Sequence, residues 1–223
     1  MTAAPADEAV FFDLFGTLLS LAPLDERCER LAPGRGAEMA ARWRARQLEA
    51  SWLRTAMDRW TDFDVVTVDA LRSTLDELGI EAPPDVDAVA ESFAELPLVD
   101  GAAGVVERLR EVGLVTGVLT NASTRMLEHV ARRLGLAFDH LLSVDRARQF
   151  KPHPAVYQLA VDATELAPEQ IGFVTANGWD AAGAGAFGFR VVWLRPNSTA
   201  TLPSVGAPAP EIATWERLPQ MFA

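Results

Sequence analysis

Apolar residues from Ala9 to Leu14 form a compact run, AVFFDL, that contains one aspartate and is followed by Gly16. A short apolar run bounded by a turn former reads as a buried strand, here with its C-terminal end at Asp13. From about Pro23 to Pro97 the pattern changes. Met39 and Trp43, then Leu48, Trp52 and Ala56, then Leu53 and Met57, recur four residues apart, the spacing of one face of a helix. A second helical stretch, Val65 to Leu78, closes at Gly79, and the Pro83-Pro84 pair turns the chain into a shorter helix.

Beyond Asp100-Gly101 helix and strand patterns alternate. Helices are expected near Ala103 to Val112, Ser123 to Leu134, Pro154 to Asp162 and Trp179 to Ala186, with strands at Leu114 to Thr120, Leu141 to Val144, Ile171 to Ala176 and Val191 to Leu194. Such alternation implies an α/β fold, a parallel sheet covered by helices on both faces. The helical block then reads as a cap inserted into the core: residues 1–22 and 98–223 form the α/β core domain, and residues 23–97 the helical cap domain. Thr199 to Pro210, rich in alanine and proline, reads as a surface loop.

Composition narrows the classes. With 223 residues, 49% hydrophobic and 23% charged, the chain can bury a sizeable core and is far from the composition of disorder. A net charge of −11 repels nucleic-acid backbones and anionic lipid, and no dense basic run offsets it. The longest apolar stretch, Ala181 to Leu194, is interrupted by Arg190 and falls short of the ~18 to 20 residues of a membrane span. Asp7, Glu8 and Asp13 are unlike a signal peptide, and the single cysteine, Cys28, excludes an internal disulfide. A cytoplasmic protein is the expectation.

In an open parallel sheet, ligands bind beyond the carboxyl ends of the strands. Residues at those ends are Asp13 and Thr17, then Thr120 and Asn121, then Lys151, then Thr175, Asn177 and Asp180. A carboxylate, hydroxyls, amides and an ammonium are thus expected at one edge. Taken singly, each has a plainer reading: Asp13 as a turn cap, Lys151 as a solvated loop lysine, Asp180 as a helix cap, and Arg44 as part of a basic surface with Arg42, Arg46 and Arg54. Gly183, Gly185 and Gly188 spell GxGxxG, but they lie late in a helix and lead into a strand, the reverse of a dinucleotide-binding turn; close helix packing against the sheet is expected instead. His129, His140 and His153 lack metal-ligand spacing, and no GxSxG is present.

The segments DLFGTL, VLTNAS, QFKPHPAVYQLA and FVTANGWDAAGAGAFGF together resemble the four motifs of the haloacid dehalogenase superfamily, and the resemblance spans the whole chain. RWRARQLEASWLRTAM and FVTANGWDAAGA are similar to the L-2-haloacid dehalogenases in particular. The resemblance implies a Rossmann-like core with a helical cap, a homodimer, a short 2-haloacid as substrate, and hydrolysis through an aspartyl ester without metal or cofactor. It implies Asp13 as nucleophile, Thr17 bonding to it, Lys151 paired with it, and Asp180 directing the hydrolytic water. Arg44 and Asn177 would receive the halide, Thr120 with amides near Asn121 would hold the substrate carboxylate, and Tyr157 would line the pocket beside Lys151. Phe15, Leu48, Phe63 and Trp179 would form an apolar wall; the other cap tryptophans are expected in the core. Thr175 and Ala45 depart from the usual serine and larger polar residue.

Residue chemistry agrees with the resemblance. Phosphatases of the superfamily carry a second aspartate two positions after the nucleophile, where this chain has Phe15. A phosphate ester needs a proton for its leaving group and a cation to screen its charge, whereas halide leaves as a stable anion. Attack on a carbon–fluorine bond or a strained ring, a magnesium phosphatase, and a silent binding protein are the rival readings.

Overall fold

The computed structural model describes residues 7–194 and 210–222. Its elements, in chain order, are β1 (Ala9–Phe12), α1 (Pro23–Leu31), α2 (Gly36–Ala56), α3 (Phe63–Leu78), α4 (Val86–Glu91), α5 (Ala102–Glu111), β2 (Val115–Thr120), α6 (Thr124–Leu134), β3 (His140–Ser143), α7 (Pro154–Thr164), β4 (Ile171–Thr175), α8 (Gly178–Phe187), β5 (Arg190–Leu194), β6 (Glu211–Ala213) and α9 (Leu218–Met221). The six strands form one parallel sheet in the order β3-β2-β1-β4-β5-β6. The expected α/β fold is present, and the helices α1 to α4 lie between β1 and β2 as the sequence pattern requires. The loop expected from Thr199 lies outside the described residues, Pro210 excepted. No described helix is long and apolar enough to cross a membrane.

Strand β1 is central and buried along its whole length, which is why it reads as an unbroken apolar run. It stops at Phe12, one residue before the expected end at Asp13. Asp13 still donates its backbone N–H to the Val174 carbonyl at 3.0 Å, and Gly16 then adopts a left-handed conformation (φ 81°) that turns the chain sharply. Phe12 is in register with Val118 of β2 and Val174 of β4, so the ends of the three strands share one edge. Connections run to one side of β1 through β2 and β3, then cross to β4 on the other, placing the topological switch beside Asp13.

The stripe that α2 buries differs from the expected one. Met39 and Trp43 are buried, but the stripe continues through Gln47 and Ser51, while Trp52, Leu53 and Met57 are 38%, 52% and 59% exposed. The apolar spacing therefore marks an outer face, and the inner face carries two polar residues, Ser51 bonded to the Gln47 backbone carbonyl and Gln47 bonded through its side chain to Thr67 and Arg44. Ala45 is also exposed. Short β6 and α9 follow the β5 region and had no clear signal in the pattern.

Candidate active site

The ends of β1, β2 and β4, the Lys151 loop, α7 and the helical block together deliver the site. Asp13 follows β1, and both of its carboxylate oxygens are occupied, though unequally. Oδ2 accepts the Thr17 hydroxyl at 2.9 Å and the Asn177 amide at 2.7 Å; among the described residues Oδ1 accepts only the Lys151 ammonium, at 3.2 Å. The Gly16 turn brings Thr17 back over Asp13, and the Ala176 N–H donates to the Thr17 hydroxyl at 2.9 Å, so that hydroxyl must point its own proton at the carboxylate. Asp13 itself is 5% exposed.

Lys151 is fully buried, and its ammonium lies between Asp13 and Asp180, donating to Asp180 Oδ2 at 2.8 Å. It also sits 4.7 Å from the Phe173 ring centroid. Asp180, likewise fully buried, accepts the Tyr157 hydroxyl on Oδ1 at 2.7 Å. Burial pushes its carboxyl up to about 6, against the opposing pull of Lys151. The Tyr157 hydroxyl is driven well above its ordinary value by burial and by the Asp180 charge, so it stays a proton donor. Asp180 does not cap α8; the expectation of a capping role fails because its side chain turns inward to Lys151 and Tyr157.

Asn177 spends both amide hydrogens, one on Asp13 and one on the Phe15 carbonyl at 3.0 Å. In this arrangement its amide engages the nucleophile and the turn that follows it. The Thr175 hydroxyl accepts the Asn177 N–H at 3.0 Å and thereby sets that turn. On the β2 side, the Thr120 hydroxyl accepts the Ala122 N–H at 3.1 Å, and the Asn121 side-chain oxygen accepts the Lys151 N–H at 3.0 Å. Asn121 thus anchors the lysine segment through its side chain, a role the sequence did not suggest.

The helical block contributes Arg44 from α2. Burial lowers its guanidinium to about 10 while the carboxylates of Asp13 and Asp180 pull it upward, so it remains charged and feels both acids. Phe15 stacks on Phe63 at 6.0 Å and meets Phe93 edge-on at 5.5 Å. Phe93, missed in the sequence, completes this wall by contacting Trp43 at 4.8 Å. Leu48 is partly buried. Trp179 faces elsewhere: it meets Trp52 at 5.8 Å and lines an apolar groove of about 650 Å³ with Pro152, Pro154 and Phe187, a groove whose walls include neither Asp13 nor Lys151. Gly183 lines the same groove; a Cβ there would lie 2.4 Å from Pro152 and 2.6 Å from the Tyr157 hydroxyl. Its small size therefore serves packing against α7 and its leading loop, not against the sheet.

The description "haloacid dehalogenase-like hydrolase" belongs to the family model that matches residues 8–188. An (S)-2-haloacid dehalogenase of Pseudomonas sp. strain YL is 39% identical over 84% of this chain and 82% of its own length. This chain is a member of the L-2-haloacid dehalogenase family. A second relative, a haloacetate dehalogenase of Moraxella sp. strain B, is 35% identical over 84% of the chain and 85% of its own length. Among solved structures of the family, an L-2-haloacid dehalogenase of Xanthobacter autotrophicus with covalently bound chloropropionic acid superimposes with a TM-score of 0.89 at 32% identity, covering 96% of this chain and 98% of the other.

The wider superfamily includes magnesium enzymes, but the oxygens at this strand edge are already engaged. A divalent cation at the strand edge would need oxygens from Asp13, Asp180 and the Phe15 carbonyl. Each already accepts from Lys151, Tyr157, Thr17 or Asn177, and the lysine ammonium stands between the two carboxylates. These residues do not fit a magnesium ion.

Proposed function

We propose that this L-2-haloacid dehalogenase family member hydrolyses short 2-haloacids to 2-hydroxy acids through an ester on Asp13. The observation that carries the reading is the asymmetry of the Asp13 carboxylate. Oδ2 is tied by two donors, whereas among the described residues Oδ1 has only the longer lysine contact and is the freer oxygen to attack C2. Attack forms the Oδ1–C2 bond as the carbon–halogen bond breaks, the electron pair leaving with the halide and the carbon inverting.

In the resulting ester, Oδ2 is the carbonyl oxygen. Thr17 and Asn177 already point donors at it, which is where negative charge develops when water adds to the carboxyl carbon. Asp180, ionised above about pH 6, takes the proton of that water. The carboxyl carbon then releases Oδ1 with the substrate as the hydroxy acid, the alkoxide regaining a proton, and Asp13 keeps one oxygen from solvent. Lys151 holds both carboxylates through the cycle, and Arg44 supplies the positive charge that meets the halide.

Residues 23–97 act as a cap that brings Arg44 and Phe63 over the strand edge, with residues 1–22 and 98–223 as the core. The exposed Trp52, Leu53 and Met57 on α2 support a homodimer. The composition supports a cytoplasmic location. The test is turnover of each enantiomer of 2-chloropropionate with chelator present, in heavy-oxygen water, with mass analysis of the peptide bearing Asp13. Halide release with label in that peptide is the expected result. Halide release from an unlabelled protein would remove the ester, and phosphatase activity abolished by chelator would replace the reading.

A further inference from the structure

We propose that Gln47 is a positioning residue that holds Arg44 as an unneutralised acceptor for the halide; this rests on the dehalogenase reading above. Helix α2 carries four arginines, and Arg42, Arg46 and Arg54 each pair with a carboxylate, of Glu38, Glu49, Glu77 or Asp69. Arg44, the one that feels Asp13 and Asp180, has no carboxylate in ion-pair contact among the described residues. Its Nη1 donates instead to Gln47 Oε1 at 2.5 Å.

Gln47 is fully buried, a costly place for an amide unless both ends are satisfied. They are. Its Nε2 donates to the Thr67 hydroxyl at 2.6 Å, and Thr67 donates its single proton to the Phe63 carbonyl at 2.8 Å. Because that proton is committed, Thr67 can only accept from Gln47, which fixes the amide with its nitrogen toward Thr67 and its oxygen toward Arg44. The Ser51 hydroxyl donates to the Gln47 backbone carbonyl, and the Trp43 indole to the Thr67 backbone carbonyl, pinning both helices at this level. The chain runs from the cap's backbone to the guanidinium through neutral groups alone. A neutral acceptor orients Arg44 without cancelling its charge, whereas a glutamate of the same size would form an ion pair and leave less charge for an incoming anion.

Chloride-35 line broadening, titrated on the full-length wild-type chain and on Gln47→Glu, Gln47→Met and the control Thr74→Val, tests this without requiring turnover. Thr74 makes a buried bond to the Ala70 carbonyl on the same helix pair but lies outside the Arg44 chain. Chloride affinity is expected to fall about tenfold or more in both Gln47 variants, in Gln47→Met because Arg44 loses a bond to a charged group and in Gln47→Glu because its charge is met by a carboxylate, and to stay at the wild-type value in Thr74→Val. Chloride inhibition of 2-chloropropionate turnover should weaken in parallel. Wild-type affinity in both Gln47 variants, an equal loss in Thr74→Val, or no chloride binding by the wild type would each overturn the proposal. Failure of the wild type to release halide from any 2-haloacid would overturn the catalytic reading instead, with the chloride titration still deciding the role of Gln47.

Discussion

Replacing Tyr157 by phenylalanine should move the acid limb of the pH–rate profile. The ring is enclosed by Phe173, Phe187 and Phe189, so phenylalanine fits the same space and only the hydroxyl is lost. That hydroxyl donates to the buried Asp180 carboxylate at 2.7 Å and lowers its affinity for protons. A hydrogen bond to a charged acceptor is worth about 1.5–3 kcal/mol, and one pKa unit corresponds to about 1.4 kcal/mol. The limb governed by Asp180, at about 6 in the wild type, should therefore shift upward by about one to two pH units in the variant. Halide release followed from pH 5 to 10 reads this directly. Turnover near pH 7 should fall and recover on the alkaline side, because an acid that must act ionised is restored by raising pH. Stability carries a matching sign. A carboxyl whose folded value is raised favours the fold most below its unfolded value of about 4 and loses that contribution as pH rises through the folded value. The variant should lose more melting temperature, relative to wild type, at pH 8 than at pH 5. An acid limb that stays in place, or a loss of rate equal at every pH, would refute the coupling between Tyr157 and Asp180.

Three further outcomes follow from the geometry. Lys151→Ala leaves two buried carboxylates without their shared cation and should cost about 3–5 kcal/mol, measured by urea unfolding, along with turnover. Gly183→Ala drives a methyl against Pro152 and the Tyr157 hydroxyl; it should displace that hydroxyl and reproduce part of the pH shift of Tyr157→Phe. Thr175→Ser removes one buried methyl, at a cost of about 1 kcal/mol by thermal melting, while leaving kcat/KM within a few-fold because the hydroxyl that holds the Asn177 N–H is kept.

The legibility of this molecule in its sequence was uneven for physical reasons. Strand β1 is buried on both faces, so its apolar run is unmistakable, and the strand-end residues Asp13, Lys151, Asn177 and Asp180 meet as their positions required. Periodicity misled in α2. Trp52, Leu53 and Met57 keep helical spacing on an exposed face, whereas the buried stripe runs through Gln47 and Ser51, whose polarity hides them from any hydrophobic pattern. Hydrogen-bond direction was equally out of reach: the sequence marks Asn177 and Asn121 as polar, but only the folded structure shows one dividing its protons between Asp13 and the Phe15 carbonyl and the other anchoring the Lys151 backbone. Phe93 escaped notice because it lies in a short 3-10 turn, Ser92–Glu95, with no pattern of its own.

The ion cluster at the strand edge draws its partners from widely separated positions, with Asp13 at the start of the chain and Lys151, Asn177 and Asp180 far along it. During synthesis the nucleophile leaves the ribosome long before the groups that orient it, and domains acquire their long-range contacts only as later segments emerge. A nascent chain that ends short of Lys151 carries the reactive carboxylate with Thr17 beside it but without its cation or its Asn177 donor. The enzyme is in this sense born inert, and it gains its chemistry only once both the segment that carries Lys151 and strand β4, which pairs with β1 and leads to Asn177, have emerged and joined the sheet.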